Sequence, residues 1–288
     1  MSLTSSQRQS LLLAPIYAVL VVAAGFTLIP FAWLVCAAFK TNADVFTSNF
    51  LPMGSGFLGV AWDRLTTANF VRLFAELGIG RAMANSVFIA ATSALLATFC
   101  CALAGYALAK FRFPGREWVI SLVLAALVIP GSLLMAPGYK LLFDLGLLDT
   151  YAGLLLPGIT PAFGVFLFRQ SMINAVPATL LESARIDGAG EFRIFFTIVL
   201  PLVRPMIGAY LMITFLGAWN NFIGPQIVLQ DPSRFPLSVA INQLRGLYGT
   251  DYGLIMSGTL VSIAPVLALF LLLQKEFISG LTSGAVKG

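Results

Sequence analysis

AMANSVFIAATSALLATFCCALAGYALA, residues 82–109, runs for 28 residues without a charge, between Arg81 and Lys110. As a helix rising 1.5 Å per residue it is long enough to cross the roughly 30 Å of hydrocarbon in a bilayer. Working outward, five further charge-poor runs place spans at about 11–39, 118–139, 150–168, 205–224 and 252–274, with the quoted run giving a span at about 83–109. A seventh uncharged run, 45–62, contains Thr47, Ser48, Asn49, Pro52 and Gly54 and reads as an extramembrane loop. The expected fold is therefore all-α: a polytopic transmembrane helical bundle of six spans, with residues 1–288 forming a single membrane domain.

The composition agrees. Hydrophobic residues make up 59% and charged residues 10% of the chain, and the mean hydropathy is +0.92. A soluble domain carries about 25% charged residues. The chain has no histidine. That excludes His-dependent triads, His-ligated zinc or haem, and HExxH proteases built from this chain alone. Cys36, Cys100 and Cys101 lie in apolar stretches and read as small hydrophobes, with no disulfide expected. The first apolar run is far longer than the roughly 7–15 residues of a signal-peptide core, so it is expected to remain as a span.

Charge placement sets the orientation. With both termini in the cytoplasm, the inner segments carry ten basic residues: Arg8, Lys110, Arg112, Arg116, Arg169, Arg185, Arg193, Arg204, Lys275 and Lys287. Against them stand five acids, Glu117, Glu182, Asp187, Glu191 and Glu276, whereas seven bases and seven acids cancel outside. The whole net charge of +5 is then cytoplasmic, as the positive-inside rule requires. The basic balance is a membrane-orientation signal and not a nucleic-acid footprint. Pro130-Gly131, Pro137-Gly138, Pro157-Gly158 and Pro161 interrupt the third and fourth spans, where kinks suit either a transport path or ordinary packing.

One inner segment, the cytoplasmic loop 169–204, carries a more specific pattern. Thr179 and Glu182 have the spacing of a capping box, Pro177 discourages helix before them, and Gly188 supplies a left-handed stop. These signals predict a short helix over about 180–187 and a second over about 191–199, bent at Gly188-Ala189-Gly190.

Glu182-Ser183-Ala184, Asp187-Gly188-Ala189, Phe195, Ile198 and Leu200-Pro201 together resemble the EAA motif of ABC-importer permease subunits. Ser183 stands where that pattern usually has alanine. Ala104-Gly105-Tyr106-Ala107-Leu108-Ala109-Lys110-Phe111 and Trp219-Asn220-Asn221-Phe222 are similar to further elements of the family. The ending Gly284-Ala285-Val286-Lys287-Gly288 resembles that of the maltose-type, MalG-like carbohydrate permeases.

The resemblance implies the type I ABC importer permease fold and no catalytic residue. Glu182, Ser183, Ala184, Asp187, Gly188 and Ala189 would form the coupling helix that docks on a separate ATPase subunit. Lys287 would reach the same ATPase from the C-terminal tail. The implied partners are a second permease subunit in a heterodimer, a dimeric ABC ATPase, an extracytoplasmic solute-binding protein and membrane lipid, with no nucleic acid. No phosphate-binding loop occurs, so ATP and Mg would belong to the ATPase, and neither a cofactor nor a metal is expected in this chain. The cargo implied is a sugar, an oligosaccharide or a glycerol 3-phosphate-like polyol.

Several residues admit a plainer role. Glu182 and Asp187 could also cap or turn the loop, Arg185 and Arg193 fit a solvated or headgroup-facing surface, and Arg204 fits snorkelling. Asn85, Ser86, Thr92 and Ser93 are expected to bond between helices, whereas Trp219, Asn220 and Asn221 could also meet sugar hydroxyls along a path. A self-contained carrier driven by an ion gradient is the alternative function. It is disfavoured because no acid lies within a span.

Overall fold

A computed structural model describes residues 5–245 and 250–285, with side chains for 13–245, 250–272 and 274. All regular elements among them are helical. In chain order these are α1 (Ser5–Ala38), α2 (Ala68–Ala75), α3 (Ile79–Lys110), α4 (Arg116–Ala126), α5 (Met135–Asp144), α6 (Tyr151–Leu155) and α7 (Ala162–Ala175). There follow α8 (Ala178–Ile186), α9 (Glu191–Ile194), α10 (Leu200–Leu202), α11 (Arg204–Trp219), α12 (Ile223–Val228), α13 (Leu237–Gln243) and α14 (Tyr252–Ala285). A π-helical turn, Phe195–Val199, joins α9 to α10. Residues 45–62 hold turns, short 3-10 pieces and one isolated bridge between Met53 and Val60, as expected for a loop.

Among the described residues, three single helices are long and apolar enough to cross a membrane: Leu13–Ala38, Ile79–Lys110 and Tyr252–Leu272. Three bent pairs bring the number of crossings to as many as six. Arg116–Ala126 and Gly131–Asp144 meet at 98°, Tyr151–Gly158 and Ala162–Ala175 at 43°, and Glu191–Leu202 and Arg204–Trp219 at 82°. Each break has a local cause. Pro130 (ψ 126°) and Pro161 (ψ 135°) stand in extended backbone, and Val203 (ψ 15°) precedes Pro205 in the first turn of α11. Pro137 lies in the first turn of α5, where amides have no helical acceptor, and there the helix continues unbroken. The expected third run is thus two helices at nearly a right angle, and the fourth continues past Arg169 to Ala175.

The chain packs as two compact units, one formed by the segments up to Ile79 and Ile241–Ser262, the other by Gly80–Ala240 and the segment from Ile263 onward. In the first unit, α1 has no polar face. Val21 and Phe26 are 70% and 73% exposed, which suits a helix surrounded by lipid. At its C-terminus, Ser257 and Asn69 both donate to the Ala38 carbonyl, at 2.7 and 3.2 Å. Lys40 is fully buried with its Nζ donating to the Ser48 carbonyl at 2.7 Å, and burial pushes its pKa down. Asp251 caps the start of α14 by accepting from the Leu254 amide and pairs with Arg72 at 3.0 Å.

The second unit is built on close helix crossings. A Cβ at Gly105 of α3 would stand 2.7 Å from Phe168 Cβ and 2.8 Å from the Arg169 amide of α7. A Cβ at Gly164 of α7 would overlap Tyr210 of α11 and Cys101 of α3. Small residues at such contacts let backbones approach where lipid offers no hydrophobic drive to associate. Around these crossings Cys101, Tyr106, Phe168, Met172, Phe195 and Tyr210 form one buried core with Leu181 of α8. The α8–α9 segment is therefore rooted in the helical core of its unit.

Candidate functional site

Pro177 (φ −65°, ψ 138°) turns the chain from α7 into α8 and itself occupies the N-cap position. The expected capping box does not form. Thr179 lies inside the first turn with no side-chain cap bond, because Pro177 already sets the helix entry and starts it at Ala178. The Thr179 carbonyl instead accepts from the Ser183 hydroxyl at 3.0 Å. Lys110, the last residue of α3, donates from Nζ to the Val176 carbonyl at 2.6 Å and holds the approach to α8.

The end of α8 follows the expected stop. Gly188 has φ +79°, the Ala189 amide donates to the Ala184 carbonyl at 3.0 Å, and the Gly188 amide donates to the Arg185 carbonyl at 3.0 Å. These are the paired bonds of a Schellman ending, with glycine in the left-handed position. The turn reverses the chain and sets Glu191, in the first turn of α9, beside Arg185.

That pair extends into the core. Arg185 Nε donates to Glu191 Oε1 at 2.6 Å, and the Tyr106 hydroxyl of α3 donates to Oε2 at 2.9 Å. The Arg185 guanidinium also sits 5.9 Å from the Phe111 ring centroid. Arg185 first, then Tyr106, holds the Glu191 carboxyl below its usual range despite some desolvation. Sequence reasoning had counted Arg185 and Glu191 only as charges. Their spacing across a glycine bend was the available signal.

The outer face of α8 contrasts with its inner one. Leu181 is 2% exposed, and Ala184 and Ala189 are half-buried, whereas Glu182, Ser183, Asp187 and Gly188 are exposed. Ile186 and Phe192 are 86% and 71% exposed. Apolar side chains presented among charges, Ile186 at the end of α8 and Phe192 in α9, make a surface suited to meeting another protein.

The other candidate residues divide. Trp219 is buried and stacks on Phe215 with centroids 5.6 Å apart. Asn220 is exposed and donates to the Leu216 carbonyl, and Asn221 Oδ1 accepts from the Gly224 amide at 3.1 Å. Asn221 also lines a cavity of about 380 Å³ together with Tyr139, Gly131, Gly158 and Gly224. Tyr139 was missed because it lies beyond the break of the third run. Asn85 and Ser86 bond between segments as expected: Asn85 donates to the Ser233 and Phe235 carbonyls and accepts from Tyr151, while Ser86 accepts from the Leu237 amide. Lys287 lies outside the described residues.

Residues 101–275 match the family profile described as binding-protein-dependent transport system inner membrane component. The chain belongs to this family. The permease is 42% identical over 204 residues to the arabinooligosaccharides transport system permease protein AraQ of Bacillus subtilis, covering 71% of this chain and 72% of that one. It is 33% identical to the lactose transport system permease protein LacG of Rhizobium radiobacter, covering 94% and 95% of the two chains. Its fold is that of a bacterial ABC transporter involved in the import of the acidic polysaccharide alginate, with a TM-score of 0.78 at 21% identity over 96% of this chain and 100% of that one. The permease is thus a multi-pass membrane component of a binding-protein-dependent transport system, similar to MalG-like permeases.

Proposed function

We propose that the permease is the membrane subunit of an ATP-driven importer and moves a sugar, an oligosaccharide or a glycerol 3-phosphate-like polyol by alternating access. The observation that carries this reading is the combination at α8 of an exposed face with Ile186, Glu182 and Asp187 and a fully buried root at Leu181. Closure of a separate, dimeric ATPase binding ATP and Mg would push on Glu182, Ser183, Ala184, Asp187, Gly188 and Ala189. The Arg185–Glu191–Tyr106 chain would pass that displacement to α3. The α8–α9 segment and α3 are joined by hydrogen-bonded and packed groups, so they would move together.

In this reading residues 1–288 are one functional permease domain with spans near the predicted runs, both termini and the 169–204 loop in the cytoplasm. A second permease subunit completes a heterodimer, a solute-binding protein delivers cargo from outside, and Lys287 makes a further ATPase contact. Asn220 and Asn221 line the path, with Trp219 packed behind them. The relatives whose names specify arabinooligosaccharides, lactose, and melibiose, raffinose or stachyose support an oligosaccharide as cargo.

Uptake of labelled oligosaccharide into cells tests this. ATP depletion with the ion gradients intact is expected to abolish uptake. Uptake that survives depletion and fails when the gradients collapse would overturn the proposal.

A further inference from the structure

Between the α3–α4 turn and α8 lies a cavity of about 530 Å³ with a strongly charged lining. Lys110, Arg112 and Arg116 enter it from one side, and Arg185 and Glu182 from the other. Three of the four cations have partners. Lys110 donates to the Val176 carbonyl, Arg116 Nε donates to the Leu108 carbonyl at 3.0 Å and its Nη1 pairs with Glu117 at 3.2 Å, and Arg185 pairs with Glu191. Each of the three retains N–H groups beyond those bonds. Arg112 has no hydrogen bond or ion pair among the described residues.

A second cavity, of about 300 Å³, adjoins the first and shares Arg112 and Arg116 with it. Its remaining lining includes Phe113 and Trp118, which are 40% and 71% exposed. Exposed aromatics beside arginines at the head of an apolar helix mark the level of lipid headgroups. A cationic compartment thus opens beside an aromatic one at the start of α4.

We infer that this cavity binds the phosphate of an acidic phospholipid, with Arg112 as its principal ligand and Lys110, Arg116 and Arg185 lending their remaining N–H groups. The anion would tie the α3–α4 turn to α8. Free inorganic phosphate shares the chemistry, but the adjoining Phe113–Trp118 face favours the lipid as the source. The inference requires the α3–α4 turn to lie at the membrane surface and does not require α8 to meet an ATPase.

Native mass spectrometry of the full-length protein in mild detergent, with phosphatidylglycerol or phosphatidylcholine added, tests it. Phosphatidylglycerol is expected to be retained in preference, and Arg112→Gln to weaken that retention roughly fivefold, as for the loss of one cation near an anionic surface. Arg112→Lys should restore most of it, and Arg81→Gln, an exposed arginine at the other end of α3, should leave it unchanged. Equal retention of both lipids, or equal losses in Arg112→Gln and Arg81→Gln, would overturn the assignment. Displacement of bound phosphatidylglycerol by inorganic phosphate would assign the cavity to free anions and overturn the lipid as ligand.

Discussion

The Tyr106 hydroxyl donates to Glu191 at 2.9 Å across 85 residues of sequence, and joins the C-terminal part of the long apolar helix α3 to the segment that follows α8. Tyr106 is itself 3% exposed and packs on Phe195 and Phe111. Its ring is fixed by the core while its hydroxyl reaches the charged knob. This bond, the Arg185–Glu191 pair and the Lys110–Val176 bond are polar links at the base of the α8–α9 segment.

Tyr106→Phe removes the bond and keeps the ring. The folded protein is expected to lose about 1.5–3 kcal/mol, the usual net worth of a hydrogen bond to a charged group. Thermal unfolding in detergent measures that loss. Substrate-stimulated ATPase activity in the assembled complex should fall while ATPase association is retained.

Glu191 gives the loop a defined response to pH. Its folded-state pKa lies below the ordinary 4.5, so its contribution to stability is complete above that value and is lost as the pH falls through the lower, folded-state value. The difference in melting temperature between the natural protein and Glu191→Gln should therefore be flat through the neutral range and shrink below pH 4.5. A difference that changes around neutrality would point to another group.

The helix crossing at Gly105 should tolerate no side chain. Gly105→Val would drive a Cβ against Phe168 and the Arg169 backbone, and overpacking of this kind costs about 1–3 kcal/mol. Gly188→Ala provides the contrast, because nothing lies within 4 Å of the added Cβ and the cost is only that of a left-handed backbone, about 1 kcal/mol. Melting temperatures of the two variants, measured side by side, check the order.

The Asn221 cavity can be separated from the packing behind it. Tyr139→Ala is expected to lower oligosaccharide uptake with little change in unfolding temperature, since Tyr139 is 39% exposed. Trp219→Ala should instead destabilise the protein by about 3–5 kcal/mol, as a buried aromatic truncation does. Uptake assays paired with thermal unfolding distinguish the two.

Much of this was legible in the sequence because it depends on local chemistry. The run 82–109 needs only its lack of charge to become α3, and Gly188 needs only its missing Cβ to end α8. Pro130 and Pro161 marked where helices break but not by how much, whereas Pro137 sits in the first turn of an unbroken helix. The 98° bend after Ala126 depends on a whole extended linkage through Pro130. Thr179 and Glu182 had the spacing of a capping box, yet Pro177 took the cap position first. The Arg185–Glu191–Tyr106 chain was not legible, because it exists only once the Schellman turn has reversed the chain and α3 has been packed alongside. Nor does any sequence pattern mark Lys40 as buried, with its ammonium on a backbone carbonyl eight residues away.

The docking of α8 on an ATPase is tested most directly by pull-down of the tagged permease from membranes, with Ile186→Asp and Glu182→Arg beside the natural protein. Both side chains are exposed and make no hydrogen bond or ion pair among the described residues, so membrane insertion should be unchanged and melting temperature nearly so. The expected result is loss of the ATPase subunit from both variants. Full recovery of the ATPase with both variants inserted and folded would contradict the proposed coupling surface.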